Sequence, residues 1–166
     1  MISIRLERAK SSKPKPPESD LGFGRHFSDH MFVADFVRGK GWLDPRVVPY
    51  GPFTLDPGAA VFHYGQELFE GLKAFRASPA SKEIRLFKPT FNADRMNFGA
   101  RRLCMEEVPS EIFLKGMEEL LKVDADWIPT GEGTSLYLRP TLIATESFLG
   151  VRPSDHYKFF IIASPV

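Results

Sequence analysis

The sequence lacks the features that mark several common classes of protein. It has a single cysteine, Cys104, in 166 residues, which excludes an intrachain disulfide and any metal site with several cysteine ligands. One cysteine is typical of a reducing compartment, so we expect a cytoplasmic protein. No apolar run approaches the roughly 20 residues that a membrane-spanning helix needs. Twenty-two basic residues balance 21 acidic ones to a net charge of +1, so neither nucleic acid nor a membrane surface is expected as a partner.

Aromatic residues, by contrast, are abundant. The chain has 15 phenylalanines, and 43% of its residues are hydrophobic, which is enough to build the core of one globular domain. Side chains of this bulk line a core, an interface or a binding pocket. Residues 1–20 differ from the rest because they combine basic residues with closely spaced prolines. They predict a flexible leader, followed by a domain over residues 21–166.

The order of apolar and turn-forming residues predicts an α+β fold with a mostly antiparallel sheet and two adjacent helices. Branched and aromatic residues favour strands, which glycine and proline separate. Apolar residues at helical spacing follow Asn92 or Thr90 and again Ser110, and these residue types favour a helix N-terminus. Strands are predicted at 31–38, 72–76, 83–87, 135–143 and 157–163, and a further strand begins at Trp42. Helices are predicted at 63–71 and from Thr90 or Asn92 to Arg102, and a third begins at Ser110.

The sequence contains only incomplete matches to the common motifs of nucleotide and metal binding. The glycines at 22–24 and 131–133 do not form a phosphate loop, because the spacing or the flanking elements are wrong. His26 and His30 are four residues apart, as zinc ligands on a helix are, but the glutamate of a metalloprotease and a third ligand are missing. Both histidines are therefore interpreted as structural, and no metal site is predicted. Cys104, between two apolar neighbours, is interpreted as a small buried side chain.

Two arginines stand in unusual places. Arg95 falls in the first turns of a predicted helix, where free amides and the helix dipole favour an anion, and a guanidinium there could complete a phosphate or carboxylate site. The alternative is an exposed arginine paired with Asp94 or with solvent. Arg139 lies inside an otherwise apolar strand, so its charge must face solvent, a partner or a ligand carboxylate. The residues alone leave these three alternatives open.

Several blocks of sequence are distinctive in their order and spacing. The longest is FHYGQELFEGLKAFR at 62–76. The others are FG and FSDHM within 23–31, IRLFKP at 84–89, NADRM at 92–96, SLYLRPT at 135–141 and FLGV at 148–151. Together they resemble the branched-chain amino acid aminotransferases, whose signature HYxxELFEGLKAFR is similar to the longest block. The resemblance extends from about Leu21 to the last residue.

The resemblance implies an enzyme of fold type IV that uses pyridoxal 5′-phosphate, with this chain as its N-terminal small domain. The implied activity transfers an amino group between leucine, isoleucine or valine and 2-oxoglutarate, which becomes glutamate. Arg95, in the NADRM block, matches the arginine that binds the cofactor phosphate. Tyr64 and the FLGV loop are expected to reach across a homodimer. The implied substrate-binding residues are Phe23, Tyr64, Phe69, Tyr137, Arg139, Leu149 and Val151.

The same resemblance places the chemistry outside this chain. In the family, the lysine that binds the cofactor covalently belongs to a second domain, which would begin beyond residue 166. No catalytic residue is therefore assigned here, and the chain alone is expected to be inactive, because it lacks both the covalent anchor and the general base. The alternative is a catalytically dead interaction domain that keeps the aromatic surface. The ELFEGLKAFR and YLRP blocks disfavour the D-amino acid transaminases and aminodeoxychorismate lyases of the same fold type.

Overall fold

The computed structural model describes residues 2–166 and contains one eight-stranded sheet covered by two long helices. Strand β1 pairs in parallel with β3, and every other pairing is antiparallel. The spatial order is β1-β3-β2-β8-β7-β5-β6, with β4 paired to β7. The strands are β1 (Arg5–Leu6), β2 (His30–Val37), β3 (Gly41–Pro49), β4 (Glu67–Phe69), β5 (Leu72–Arg76), β6 (Ile84–Leu86), β7 (Leu136–Ala144) and β8 (His156–Pro165); the helices are α1 (Ala60–Tyr64), α2 (Pro89–Arg102) and α3 (Ser110–Val123).

The predicted α+β class, the antiparallel hairpins and the two adjacent helices are confirmed. The helix expected over 63–71 is wrong, because α1 ends at Tyr64 and a short strand, β4, follows. Gly65 adopts a left-handed φ of 57° at that point, a conformation that glycine reaches without a steric penalty and that ends helices. The start of α2 is also corrected. It begins at Pro89, three residues before Asn92, since proline is favoured in the first turn of a helix.

The core lies between one face of the sheet and helices α2 and α3. The buried stripe of α3 includes Phe113, Met117 and Leu120, all without exposed surface. Phe113 stacks on Phe159 of β8, with the ring centroids 5.7 Å apart. Burial of an aromatic or aliphatic side chain of this size stabilises the fold by about 1.5–3 kcal/mol. This layer covers one face of the central strands β2, β8 and β7, whereas their other face is only partly buried.

Residues 2–20, expected to form a flexible leader, lie along the sheet in the structure. Arg5 and Leu6 pair with Arg46 and Val47 of β3, and the backbone N–H of Ala9 donates to Nε2 of His30 at 2.9 Å. The other ring nitrogen of His30 lies 2.6 Å from the Asp124 carboxylate. The structure thus gives His30 a role in attaching the N-terminal segment, in agreement with its structural interpretation. A domain boundary at residue 21 stays a prediction.

Asp29 provides a second attachment for the same segment. Its carboxylate accepts hydrogen bonds from Ser12 Oγ at 2.5 Å, from the backbone N–H of Lys13 at 2.8 Å and from the Trp127 indole at 3.0 Å. Burial alone would raise the pKa of Asp29, but these hydrogen bonds outweigh it and hold the pKa below its usual value. The charged form of Asp29 therefore stabilises the contact between the N-terminal segment and the domain.

Candidate functional site

The pairing of β7 with β8 places the first predicted site residues on the open face of the sheet. Tyr137 lies opposite Ser164, and Arg139 lies opposite Ile162. Because side chains alternate along a strand, these four share one face, whereas Leu138 between them points into the core and has no exposed surface. A cavity of about 190 Å³ opens over this face, and its lining residues are Phe23, Gly24, Phe27, Tyr137, Arg139, Ile162 and Ser164.

Aromatic rings surround the guanidinium of Arg139 in this cavity. Its Nη2 and Nε donate to the Tyr137 hydroxyl oxygen at 3.1 and 3.3 Å. The guanidinium carbon is 4.1 Å from the ring centroid of Phe69 and 5.3 Å from that of Tyr137, within the range of cation–π attraction. The ring of Phe23 meets Tyr137 edge-on, with the centroids 5.0 Å apart. No carboxylate of residues 2–166 pairs with Arg139, so its charge is available to a ligand.

Gly71 allows Tyr137 to take this position. A Cβ atom on Gly71 would lie 2.2 Å from the Tyr137 hydroxyl oxygen and 2.9 Å from the ring carbon that carries it. Such approaches are far below van der Waals contact, so any larger residue at 71 would displace the tyrosine. The glycine of the ELFEGLKAFR block is thus required by packing, because it leaves room for a tyrosine that lines the cavity.

Arg95 forms an ion pair with Glu70, not with Asp94 or with solvent alone. Its Nε and Nη2 donate to the two carboxylate oxygens of Glu70 at 2.6 and 2.5 Å, a side-on bidentate arrangement. The hydrogen bonds and the charge of Glu70 raise the pKa of Arg95 above its usual value. The Arg95 side chain remains 57% exposed, whereas that of Glu70 is only 5% exposed. Nη1 of Arg95 has no acceptor among residues 2–166, so the guanidinium retains an edge that fits an anion.

Tyr64, Leu149 and Val151 form a separate group at the surface. The Tyr64 hydroxyl donates to the backbone carbonyl of Leu149, and the two aliphatic side chains are exposed, Val151 at 91%. Within the described part of the chain, no hydrogen bond or ring contact connects this group with Tyr137 or Arg139. The structure therefore brings together Phe23, Phe69, Tyr137 and Arg139, and keeps Tyr64 and the 149–151 loop apart from them.

Some residues at these sites were missed by sequence reasoning, and one interpretation was wrong. Glu70 was assigned no role and Asn92 only that of a candidate helix N-terminus, yet Nδ2 of Asn92 donates to Glu70 at 2.8 Å. Ser164 was missed as well, because the predicted strand ended at Ala163, whereas β8 continues to Pro165. Cys104 is exposed and has a positive φ of 53°, so it is not the buried side chain that its apolar neighbours indicated.

The positions of His26 and His30 do not form the helical pair that zinc ligands require. His26 is half-buried, with Nε2 3.2 Å from the carbonyl of Asp20, whereas His30 lies in β2, so the two do not share a helix face. Among residues 2–166, no three potential metal ligands come together. In the same part of the chain, no helix combines the length and apolarity that crossing a membrane requires.

The fold matches that of solved aminotransferases. The Escherichia coli branched-chain aminotransferase superposes with a TM-score of 0.56 over 83% of this chain and 40% of its own, at 18% identity. The branched-chain aminotransferase of T.th., solved in complex with N-(5′-phosphopyridoxyl)-L-glutamate, gives a TM-score of 0.55 over 79% of this chain and 39% of its own, at 20% identity. The architecture is thus that of the small domain of fold-type IV aminotransferases.

Within the aminotransferases, the sequence is similar to those that act on branched-chain amino acids by name. The chain is 51% identical over 164 residues to branched-chain-amino-acid aminotransferase 2 of Bacillus subtilis, which covers 99% of this chain and 45% of that protein. It is 50% identical over 145 residues to the branched-chain-amino-acid aminotransferase of Mycolicibacterium smegmatis, covering 87% of this chain and 39% of that protein. No family model matches. The chain is thus similar in sequence to branched-chain aminotransferases, and it spans less than half the length of these curated relatives.

Proposed function

We propose that the complete protein is a branched-chain aminotransferase that moves an amino group between leucine, isoleucine or valine and 2-oxoglutarate. The support is twofold. The relatives that match 87–99% of this chain carry that name. The cavity over β7 and β8 also has the chemistry that such a reaction needs, with apolar walls and one unpaired cation.

The aromatic walls suit a branched aliphatic side chain. The rings of Phe23 and Tyr137 line the cavity, and Phe69 adds an apolar face through its stack on Arg139. A pocket of this kind distinguishes substrates by about 1–3 kcal/mol for each methylene. A cavity of about 190 Å³ has room for a side chain of the leucine class. This arrangement binds and orients a small apolar group and excludes water from it.

The second substrate brings a carboxylate into the same apolar space. An isolated carboxylate is costly to bury, and a paired one much less so. Arg139 is the one cation that lines the cavity, and no carboxylate within residues 2–166 neutralises it. Its guanidinium can bind the side-chain carboxylate of glutamate or 2-oxoglutarate, while with leucine it remains stacked on Phe69 and bonded to Tyr137.

We assign pyridoxal 5′-phosphate as the cofactor, with its phosphate bound by Arg95. The free edge of the Arg95 guanidinium and the large exposed fraction of the side chain fit this role. When bound, the cofactor supplies the electron sink that transamination requires. The lysine that anchors it and shuttles the proton is assigned to a part of the protein outside this chain, so residues 1–166 alone are expected to be inactive.

We further propose that the complete protein is a cytoplasmic homodimer in which Tyr64, Leu149 and Val151 reach the neighbouring subunit. The exposure of the two aliphatic side chains supports this role, because apolar groups that protrude from a surface favour contact with a partner. Light scattering of the complete protein tests the dimer. A monomer with full activity would contradict this assignment for the loop.

The observation that carries the proposal is the unpaired Arg139 against aromatic rings. The test is an assay of the complete protein with leucine, isoleucine and valine as donors and 2-oxoglutarate as acceptor. We expect turnover with all three, and none from residues 1–166 alone with added cofactor. A complete protein that binds no pyridoxal 5′-phosphate and transfers no amino group would contradict the proposal and leave the interaction domain, with its exposed aromatic surface, as the alternative.

A further inference from the structure

Glu70 holds the Arg95 guanidinium in a way that leaves one edge of it free. A guanidinium has five N–H donors in one plane. Glu70 accepts one from Nε and one from Nη2, which together form the side edge. Both N–H groups of Nη1 and the second of Nη2 remain; one N–H of Nη1 and that of Nη2 point the same way and form the end edge. That edge presents parallel donors of the kind that bind a phosphate in a bidentate manner.

Glu70 is itself held firmly. It accepts a further hydrogen bond from Asn92 Nδ2 at 2.8 Å, and its backbone N–H donates to the carbonyl of Pro140 in β7 at 2.9 Å. Only 5% of its side chain is exposed. Arg95 and Asn92 are the hydrogen-bond partners that the structure shows for this buried carboxylate. The carboxylate therefore acts as a fixed point against which the arginine is oriented.

Arg95 needs such a fixed point because most of its side chain lies in solvent. An exposed arginine loses about 2 kcal/mol of rotamer entropy when one geometry is imposed on it. If Glu70 imposes that geometry before a ligand arrives, the ligand does not bear this cost. We propose that Glu70 is a positioning residue, which orients Arg95 so that its end edge binds the phosphate group of the cofactor. The inference rests on the phosphate-binding role proposed for Arg95.

An opposite effect of Glu70 is also physically reasonable, and it makes the inference testable. A buried negative charge beside the phosphate repels it, so Glu70 would weaken phosphate binding if repulsion exceeded the gain from orientation. Glu70→Gln removes the charge with almost no change in shape. The sign of its effect on phosphate binding shows which of the two contributions is larger.

The experiment compares pyridoxal 5′-phosphate with pyridoxal, which lacks the phosphate, in titrations of the cofactor-free complete protein. The ratio of the two dissociation constants reports the phosphate contact and is independent of turnover. For Glu70→Gln we expect the dissociation constant of pyridoxal 5′-phosphate to rise about tenfold, which corresponds to about 1.4 kcal/mol, and that of pyridoxal to stay unchanged. Glu107→Gln is the matched control, since Glu107 pairs with Arg101 of the same helix α2 at 2.6 Å and should alter neither constant.

Arg95→Ala separates the two proposals. If it weakens binding of pyridoxal 5′-phosphate and Glu70→Gln adds nothing in that background, both are supported. If Arg95→Ala weakens binding but Glu70→Gln leaves it unchanged or tightens it, only the positioning role is overturned. Equal loss of affinity for both ligands in Glu70→Gln would show a merely structural role and would likewise overturn it. If Arg95→Ala leaves the ratio unchanged, the phosphate-binding role fails, and the positioning role with it.

Discussion

Arg139 offers the sharpest test of how one cavity accepts both an apolar and an acidic side chain. Replacing Arg139 with methionine removes the charge but retains a flexible apolar chain that can fill the same space. In the structure the guanidinium contacts Phe69 and Tyr137 and no carboxylate of residues 2–166. The substitution therefore leaves no unpaired buried acid behind, and its effect on stability should be small.

The magnitude follows from the exposure of Arg139. Leaving a fully buried charge without its partner costs about 3–5 kcal/mol, but Arg139 is only half-buried. A hydrogen bond to a charged group, at about 1.5–3 kcal/mol, is the closer measure. We therefore expect the KM for glutamate and for 2-oxoglutarate to rise about 10- to 150-fold. Leucine loses only the stacked cation, worth about 0.5–1 kcal/mol at an exposed site, so its KM should change by less than about fivefold.

The assay measures KM for leucine and for glutamate as alternative donors in the complete protein, with the variant and the wild type side by side. Arg46→Met provides the control, because Arg46 is also a partly buried strand arginine but pairs with Asp35 of β2 at 2.8 Å, away from the cavity. It should lower stability without changing the ratio of the two KM values. Equal changes in both KM values for Arg139→Met would refute the role of Arg139 as the selective contact for the second carboxylate.

Three further predictions concern packing and pH. Gly71→Ala should push Tyr137 away and lower the free energy of unfolding by about 1–3 kcal/mol, measured by urea denaturation; an unchanged midpoint would mean that the tyrosine moves without cost. Gly116→Ala should destabilise similarly, because its Cβ would lie 2.6 Å from the ring of fully buried Phe32, and this strain exceeds the gain of about 1 kcal/mol in helix propensity; a higher melting temperature would contradict it. The pKa of Asp29 is lower in the folded than in the unfolded protein, so its charge stabilises the fold above the unfolded pKa, and this stabilisation is lost as pH falls through the folded pKa. Asp29→Asn should therefore make the free energy of unfolding less sensitive to acid, measured by urea titrations at several pH values. An unaltered pH profile would contradict this reasoning.

The sequence predicted the elements whose pattern is local. Helix α3 was predicted to within one residue, because its apolar residues recur at helical spacing and Glu111 favours the N-terminal end. Ser110, expected as the N-cap, is the first helical residue, and Pro109 takes the N-cap position. The hairpins were predictable for the same reason, since glycine and proline mark their turns. Strand β4 was not, because three residues carry too little pattern to distinguish a strand from the end of a helix. Its identity depends on pairing with Thr141–Ile143 of β7, a contact that is distant in sequence.

In the candidate site, too, the sequence predicted some features and could not predict others. The arginine at 139 was conspicuous because a charge inside an apolar strand requires an explanation, and the structure provides one in its aromatic surroundings. The partner of Arg95 could not be predicted, because Glu70 lies 25 residues away and meets the helix only after β4 pairs with β7. Asp94, the neighbour in sequence, was the natural choice but points elsewhere along the helix, since adjacent residues on a helix do not face each other.

The consecutive residues Phe69, Glu70 and Gly71 connect the two proposed binding regions. In an extended segment, side chains alternate between opposite sides. Phe69 and Gly71 accordingly lie toward two residues of the cavity, where one stacks against Arg139 and the other allows Tyr137 to approach. Glu70, between them, faces helix α2 and binds Arg95. A shift of this segment by one residue would exchange the two sides, so the register of β4 on β7 sets the distance between the substrate cavity and the arginine proposed to bind phosphate.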